Sequence, residues 1–154
     1  MSQSLLGPII AQNKSAAKTE DVAFKKIAKS DEEWKRILSP DQYYITRQAG
    51  TEAPYSSPLL NVHDAGVFEC VCCDLPLFSS KTKFESNTGW PSFWAPIAQR
   101  NVLEKIDNSL AETRTEVLCA RCDAHLGHVF DDGPKLTGLR YCINGVALKF
   151  SPAA

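Results

Sequence analysis

The sequence predicts a mainly β protein in which two antiparallel sheets form a sandwich or an open barrel. Short apolar runs follow residue 66, several of them with a period of two, at 67–71, 102–106, 113–118, 126–130, 139–143 and 146–150. Turn-forming sequences such as Asp131-Asp132-Gly133-Pro134 separate the runs. Many short strands with little helix between them are typical of antiparallel sheets.

The chain of 154 residues is long enough for a single domain with its own core. Residues 1–20 are rich in Ser, Ala and Gln and have no periodicity, which predicts a loosely held N-terminal extension. A transit peptide is the alternative, although this segment contains no arginine. We expect the domain to span residues 21–154.

Composition limits the partners of the protein. A formal net charge of −1 predicts no strong field for nucleic acid or acidic lipid. No apolar run approaches the roughly 20 residues of a membrane-spanning helix. We therefore expect a cytoplasmic monomer that binds neither nucleic acid nor membrane, with organellar targeting by the extension left open.

A capping box predicts the first helix. In Ser30-Asp31-Glu32-Glu33, the Ser30 hydroxyl can accept from the backbone N–H of Glu33, whose carboxylate can reach back. Trp34, Ile37 and Leu38 follow at helical spacing and predict one apolar stripe.

A second start signal, Ser39-Pro40-Asp41, predicts another short helix with proline at its first position. Tyr44 and Ile45 are expected to contact the core. Both helices are most simply a lid that packs against the larger β structure.

Asn144-Gly145, between the runs 139–143 and 146–150, has the composition of a tight hairpin turn. The pattern predicts that these runs are paired strands. Cys142 would then lie near the end of a rigid strand, where a reactive side chain can be held in place.

Four of the six cysteines form two Cys-x-x-Cys pairs, Cys70 with Cys73 and Cys119 with Cys122. Two such knuckles can complete a tetrahedral four-sulfur zinc site, which has no open position for catalysis and is therefore structural. A redox dithiol is the alternative. The His-x-Glu of zinc deaminases is absent.

Two cysteines remain. Cys72 adjoins a predicted ligand and could replace it, although a spare thiol is the simpler interpretation. Cys142 stands apart, with arginine two residues before it and asparagine two after, so it is a candidate nucleophile. A small buried hydrophobe is the alternative for this residue.

Other candidates are weaker when each is taken alone. His125 and His128 could be acids, a metal pair or ordinary polar packing. Trp90 alone would be a core residue, and Trp34 and Trp94 are expected in the core.

Four motifs together are far more specific: Gly-Thr-Glu-Ala-Pro at 50–54, Gly-Trp-Pro-Ser-Phe at 89–93, Cys-Asp-Ala-His-Leu-Gly-His-Val-Phe at 122–130 and Arg-Tyr-Cys-Ile-Asn at 140–144. With both cysteine pairs in register, the chain resembles the B-type methionine sulfoxide reductases over roughly residues 25–150.

This resemblance implies reduction of methionine R-sulfoxide, peptide-bound or free, in the repair of oxidised proteins. In the family's mechanism, the cysteine that matches Cys142 attacks the sulfoxide sulfur, methionine leaves, and a sulfenic acid remains on the enzyme. The resemblance also implies one structural zinc ion on the four paired cysteines.

The chemistry needs a thiolate, an acid and an apolar wall. Arg140 is expected to lower the pKa of the Cys142 thiol, although it could merely pair with a surface carboxylate. His125 and His128 are the candidate acids, and Trp90 offers a wall for the substrate methyl group. The family places Asn144 and Asp132 in the same site, where we expect them to orient a histidine or water.

The chain departs from the family at the resolving cysteine. Many members carry it before Gly-Trp-Pro-Ser-Phe, where this chain has Thr88, and others after Gly-Thr-Glu-x-Pro, where it has Ser56. We therefore expect a one-cysteine enzyme whose sulfenic acid is reduced by an external thiol, either thioredoxin or glutathione with glutaredoxin.

Two other classes of function compete with this interpretation. A zinc-containing binding module would need neither Cys142 nor the histidines. A general thiol oxidoreductase would use one Cys-x-x-Cys pair, but here the pairs are matched and no alternating helix–strand pattern surrounds them.

Overall fold

Two antiparallel sheets and two short helices make up residues 25–154, the part of the chain that the computed structural model describes. This arrangement confirms the predicted mainly β class. The predicted extension at residues 1–20 lies outside the described residues. In the described part the strands are β1 Gly66–Cys70, β2 Pro76–Ser79, β3 Lys83–Phe84, β4 Ser92–Phe93, β5 Val102–Asp107, β6 Arg114–Cys119, β7 His125–Phe130, β8 Arg140–Ile143 and β9 Leu148–Pro152. Short 3₁₀ turns lie at Pro58–Asn61, Ser80–Thr82, Gln99–Asn101 and Gly145–Ala147.

The two helices are α1 Asp31–Ile37 and α2 Pro40–Arg47. The predicted capping box at Ser30 is present, and Ser39 forms a second one with the side chain of Gln42. None of the helices within residues 25–154 has the length and apolar character needed to cross a membrane.

The apolar faces of the helices are narrower than predicted. Trp34 and Ile45 are buried, with 4% and 3% of their surface exposed, but Ile37 and Tyr44 are 57% and 51% exposed. Each helix has only about two turns, so one or two side chains are enough to cover its contact with the sheets. The Arg47 guanidinium lies 4.3 Å from the Trp34 ring centre and covers its outer side.

The six-stranded sheet has the order β3-β4-β8-β7-β6-β5, and all its pairs are antiparallel. Strand β8 lies near its centre, so Cys142 is opposite Ser92 on one side and His128 on the other. Opposed residues of neighbouring strands project to the same face of a sheet. Cys142, Ser92 and His128 therefore share one face.

The three-stranded sheet has the order β9-β1-β2 and packs against the larger sheet through aromatic side chains. Phe78 stacks on Phe93 with ring centres 4.5 Å apart, and Phe68 meets the same ring edge-on at 5.2 Å. These contacts join β1 and β2 to β4 and hold the two sheets together. Trp94 follows this cluster directly and is only partly buried, unlike the predicted core residue.

The predicted hairpin at Asn144-Gly145 is wrong. Strand β8 belongs to the six-stranded sheet and β9 to the three-stranded sheet, and a 3₁₀ turn over Gly145–Ala147 connects them. A tight hairpin turn of the Asn-Gly type needs positive φ, whereas Asn144 has φ −68° and ψ 123°. Glycine is required for another reason: a Cβ at Gly145 would lie 1.9 Å from the Ser57 hydroxyl oxygen.

Candidate active site

The four paired cysteines form one compact cluster at the junction of the two sheets. Their sulfur atoms all lie within 4.8 Å of one another, and the Cys70–Cys122 and Cys73–Cys119 pairs are 3.6 Å apart. A tetrahedral zinc ion with Zn–S bonds of about 2.3 Å would separate its ligands by about 3.8 Å. The cluster therefore fits a closed four-sulfur site for a metal ion such as zinc.

The two cysteine knuckles have the same backbone geometry. Asp74 and Asp123 follow the second cysteine of each pair, both have positive φ, and the N–H of each donates to the carbonyl of the first cysteine. Aspartate is one of the few non-glycine residues found often in this conformation. Cys70 ends β1 and Cys119 ends β6, so a metal ion here would join the two sheets.

Cys72 is outside the set of four sulfur atoms that could hold the metal. Its thiol donates to the Thr46 hydroxyl at 3.3 Å. This contact ties the first knuckle to helix α2.

Cys142 lies on the wall of a cavity of about 270 Å³. The cavity contains most of the predicted site residues together with several that the sequence did not indicate. Its walls are formed by Thr51, Thr88, Trp90, Arg114, His128, Phe130, Arg140, Cys142 and Asn144. Predicted residues from three separate motifs therefore meet in one place.

Burial raises the pKa of the Cys142 thiol, and this is the largest influence on it. The Arg140 cation and a hydrogen-bonding interaction with Thr88 act in the opposite direction, while the Glu52 charge adds to the rise. Arg140 thus has the predicted direction of effect, but the expected net fall in pKa is wrong.

Arg140 is held in place by two neighbours. Its Nε and Nη2 atoms donate to both oxygens of Asp132, at 2.8 and 3.0 Å, and its guanidinium lies 4.4 Å from the Phe130 ring centre. This paired geometry fixes the plane of the cation. The side-chain partner of Asp132 is Arg140 and not the expected histidine, and Arg140 also lowers the pKa of the Asp132 carboxyl group. The orientation of a water by Asp132 stays a prediction.

His128 lies on the cavity wall. Its Nε2 atom is 2.7 Å from an oxygen of Asp107, which also accepts from Arg114 at 3.2 Å. Burial lowers the pKa of His128, and the Asp107 hydrogen bond opposes this effect. Hydrogen bonds from Ser109 and His128 lower the pKa of Asp107, so it stays an anion.

His125 lies next to His128, at 5.6 Å between ring centres, but does not line the cavity. Its Nδ1 atom is 2.6 Å from Glu116, and its buried Nε2 atom has no hydrogen-bond partner among the described residues. The two predicted acids thus occupy different positions, one at the cavity and one behind it.

The loop that carries Glu52 fixes the remaining wall. The Trp90 indole N–H donates to the Glu52 carbonyl at 3.1 Å, and the Glu52 N–H donates to the Asn144 side-chain oxygen at 2.9 Å. The buried Glu52 carboxylate accepts from the backbone of Gly145 and Val146. Asn144 therefore orients this loop, and its side-chain partners among the described residues are backbone groups of Glu52 and Leu126 and not the expected histidine. The orientation of a water by Asn144 stays a prediction.

Sequence reasoning missed Asp107, Arg114, Glu116, Glu52 and Thr88 as parts of the site. Asp107, Arg114 and Glu116 lie on β5 and β6, where the sequence pattern predicted strands but no site residues. Strand register brings them together, since Asp107 pairs with Arg114 and Glu116 with His128. Alternation along β6 put Arg114 and Glu116 on one face and was the available signal.

A partly buried cysteine beside a fixed arginine, a carboxylate-bound histidine and an indole wall has the composition of a thiol-dependent enzyme site. The comparison with known proteins agrees with this class. A SelR domain profile matches residues 38–152. The chain belongs to the SelR family, the B-type peptide methionine sulfoxide reductases, which are oxidoreductases.

Several relatives are more than half identical to this chain. Peptide methionine sulfoxide reductase MsrB of Hahella chejuensis is 52% identical over 128 residues, which are 83% of this chain and 92% of the relative. The protein of the same name from Pseudomonas putida W619 is 56% identical over 83% of this chain and 96% of its own length. Peptide methionine sulfoxide reductase B1, chloroplastic, of rice is 60% identical over 78% of this chain and 56% of its own length.

Proposed function

We propose that this protein reduces methionine R-sulfoxide, peptide-bound or free, to methionine and thereby repairs oxidised proteins. Family membership supports the reaction, and the single observation that carries the mechanism is Cys142 on the wall of the cavity that Trp90, His128 and Arg140 share. Cys142 is the nucleophile. The other three side chains bind the substrate, donate a proton and stabilise the thiolate.

The first step forms a bond between the Cys142 sulfur and the sulfoxide sulfur while the protonated S–O bond breaks and its oxygen leaves as water. Water then attacks the Cys142 sulfur, the S–S bond breaks, and methionine leaves. Overall, the thiol and the sulfoxide give a cysteine sulfenic acid and a thioether, so the thiol proton balances the proton on the sulfenic oxygen. Cys142 is oxidised by two electrons and the substrate sulfur is reduced by two. No further oxidant or reductant enters this step.

Burial favours the neutral Cys142 thiol, so formation of the thiolate in the cavity needs a group that stabilises negative charge. Arg140 is the nearest source of compensation, since its charge and its hydrogen bonding both lower the pKa of Cys142. Asp132 holds the guanidinium in the required plane. Asp132 is thus a positioning residue that acts on Cys142 through Arg140.

His128 is the proton donor to the sulfoxide oxygen. It lines the cavity with Cys142, and Asp107 accepts a hydrogen bond from its other side, which favours the imidazolium. His125 supports the ring of His128 from behind and keeps Glu116 as its own partner. In this mechanism His125 is a positioning residue.

Trp90 and Phe130 form the apolar part of the cavity and receive the S-methyl group. The Trp90 ring is not free to turn, because its N–H donates to the Glu52 carbonyl. Asn144 and Glu52 fix that carbonyl through the contacts already described.

An external thiol regenerates the enzyme. Thr88 and Ser56 occupy the family's two positions for a resolving cysteine and contain no thiol. Two equivalents of a thiol convert the sulfenic acid back to the Cys142 thiol with release of water and a disulfide. Thioredoxin, or glutathione with glutaredoxin, supplies these equivalents. We further assign one structural zinc ion to the four paired cysteines, and a monomeric, cytoplasmic protein.

The test of this function is turnover of the separate R and S epimers of an N-blocked methionine sulfoxide, with dithiothreitol as reductant. Wild-type protein reduces the R epimer alone, and Cys142→Ser abolishes the reaction. Zinc content and thermal unfolding of both proteins are measured in parallel. No turnover of either epimer by folded, zinc-loaded wild-type protein would reject the enzyme and favour a binding module.

A further inference from the structure

Three hydroxyl side chains, those of Thr88, Ser86 and Ser92, form a continuous hydrogen-bonded chain at the Cys142 cavity. The Ser86 oxygen lies 2.8 Å from that of Thr88 and 2.7 Å from that of Ser92. Ser92 also donates to the carbonyl of Trp90 at 3.0 Å. We call these three side chains the hydroxyl chain.

Both ends of the hydroxyl chain are close to the reactive sulfur. Thr88 lines the same cavity as Cys142, and its hydroxyl acts to lower the pKa of the Cys142 thiol. Ser92 is directly opposite Cys142 in the pairing of β4 with β8, and it is almost fully buried, with 1% of its surface exposed. Ser86 and Thr88 are partly buried, and the hydroxyl chain is attached through Ser92 to the strand pair that carries the nucleophile.

Each hydroxyl has one proton to donate and two lone pairs that can accept, which restricts the chain to two directions. In the first direction, Ser92 donates to Trp90, Ser86 donates to Ser92, and Thr88 donates to Ser86. Ser86 also accepts from the Thr88 backbone N–H at 3.4 Å, so its capacity is filled. Thr88 then has only lone pairs to offer to Cys142, which suits a thiol that donates its S–H.

In the second direction every hydroxyl turns about its C–O bond. Ser92 donates to Ser86, Ser86 donates to Thr88, and Thr88 donates to the Cys142 sulfur, which suits a thiolate. The reversal gives up two hydrogen bonds, from Ser92 to the Trp90 carbonyl and from the Cys142 S–H to Thr88, and gains one to an anion. Hydrogen bonds to ionised groups are roughly twice as strong as neutral ones.

We propose that Thr88 is a further catalytic residue, whose hydroxyl accepts from the Cys142 thiol and, when the hydroxyl chain reverses, donates to the thiolate. Ser86 and Ser92 are positioning residues that set the direction of the Thr88 proton. No proton passes along the chain, because each hydroxyl keeps its own. The inference rests on the proposed function, since attack on a sulfoxide is the step that requires the thiolate.

The charged groups around Cys142 are Arg140, Arg114 and His128 on the cavity wall and Glu52 on the adjoining loop. None of them belongs to the hydroxyl chain, so changes in the chain leave the charges of the site in place. Thr88→Val removes the hydroxyl with little change in shape. Thr88→Ser keeps the hydroxyl and is the matched control.

The experiment measures the rate of Cys142 alkylation by iodoacetamide as a function of pH, without any sulfoxide. Trypsin releases residues 141–149 after Arg140 and Lys149, and Cys142 is the single cysteine of this peptide, so mass spectrometry follows it alone. Metal content and thermal unfolding are measured for every variant. Because no reduction is involved, the result is independent of whether the protein turns over methionine sulfoxide.

In Thr88→Val, the midpoint of the alkylation profile moves to higher pH, and the rate at neutral pH falls roughly threefold or more. The thiolate fraction falls by about tenfold, while the more basic thiolate reacts somewhat faster. Thr88→Ser restores the wild-type profile. A Thr88→Val profile that coincides with wild type would overturn the proposal.

Ser86→Ala separates the hydroxyl chain from a merely structural effect. Thr88 then has no competing acceptor and Ser92 keeps its bond to Trp90, so the midpoint moves to lower pH, opposite to Thr88→Val. A rise in the midpoint with both variants would show that the loop at 86–88 acts through packing, and would reject the chain.

Discussion

The hydrogen bond between Asp107 and His128 leads to a quantitative prediction for His128, the proposed proton donor. Asp107→Asn keeps an oxygen that can accept from His128 Nε2 but removes the negative charge 2.7 Å away. It also leaves Arg114, which donates to the same oxygen at 3.2 Å, without its neutralising partner. Both changes disfavour the imidazolium, so the pKa of His128 falls further below its ordinary value.

The size of the effect follows from the hydrogen bond that is weakened. A charge-assisted bond is roughly twice as strong as a neutral one, and the difference corresponds to about a tenfold change in the protonated fraction of His128. We therefore expect kcat/KM for R-sulfoxide to fall about tenfold on the alkaline side of its pH profile. At pH values below the lowered pKa, His128 is protonated in both proteins and the difference narrows.

The direct assay is a proton NMR titration of the histidine ring resonances. The chain has three histidines, so each resonance is assigned by replacing one residue at a time. Glu116→Gln is the matched control, since it makes the same chemical change at His125, which does not line the cavity. The control is expected to leave the alkaline limb of kcat/KM in place. An unchanged His128 titration in Asp107→Asn would refute the reasoning.

Three further predictions concern the four-cysteine cluster, the loop that carries Glu52 and the apolar wall of the cavity. Cys119→Ser removes one of the four ligands between the two sheets, so we expect loss of bound zinc in metal analysis and a large fall in thermal stability in calorimetry. A normal zinc content would contradict the assigned ligand set. Asn144→Ala removes two buried hydrogen bonds to backbone groups and should lower the free energy of unfolding, measured in urea, by roughly 1–3 kcal/mol. A free energy of unfolding equal to that of wild type would show that these bonds do not hold the loop that carries Glu52. Trp90→Ala should raise KM for R-sulfoxide by roughly tenfold or more in steady-state assays, while Trp90→Phe retains most of the binding. Equal KM values for wild type and Trp90→Ala would exclude the indole as the methyl-binding wall.

The parts of the fold that could be predicted from sequence are those set by local chemistry. The capping box at Ser30 depends on residues within one turn, and the four-sulfur cluster depends on spacing within two short knuckles. Strands β3 and β4 have only two residues each, too few for any periodicity to appear. The connection after Cys142 was predicted incorrectly, because Gly145 serves close packing against Ser57 rather than a turn with positive φ.

The candidate site also combines residues that sequence motifs identify with residues that only strand pairing brings together. Motifs identified Cys142, His128, Arg140 and Trp90, and these four side chains do line one cavity. The partners Asp107 and Glu116 come from strands that meet the histidines only through sheet pairing. Alternation along β6 could place Glu116 on a face of its strand but could not show that this face meets the histidines. The net direction of the Cys142 pKa depends on burial, which is a property of the packed site and not of neighbouring residues in the chain.

The most direct test of the central claim is a single turnover with R-sulfoxide and no reductant, in the presence of a sulfenic acid trap such as dimedone. We predict one methionine released per chain and one trap adduct, on the peptide 141–149 that contains Cys142. An intramolecular disulfide between Cys72 and Cys142, or methionine release with the trap on another residue, would contradict the one-cysteine mechanism.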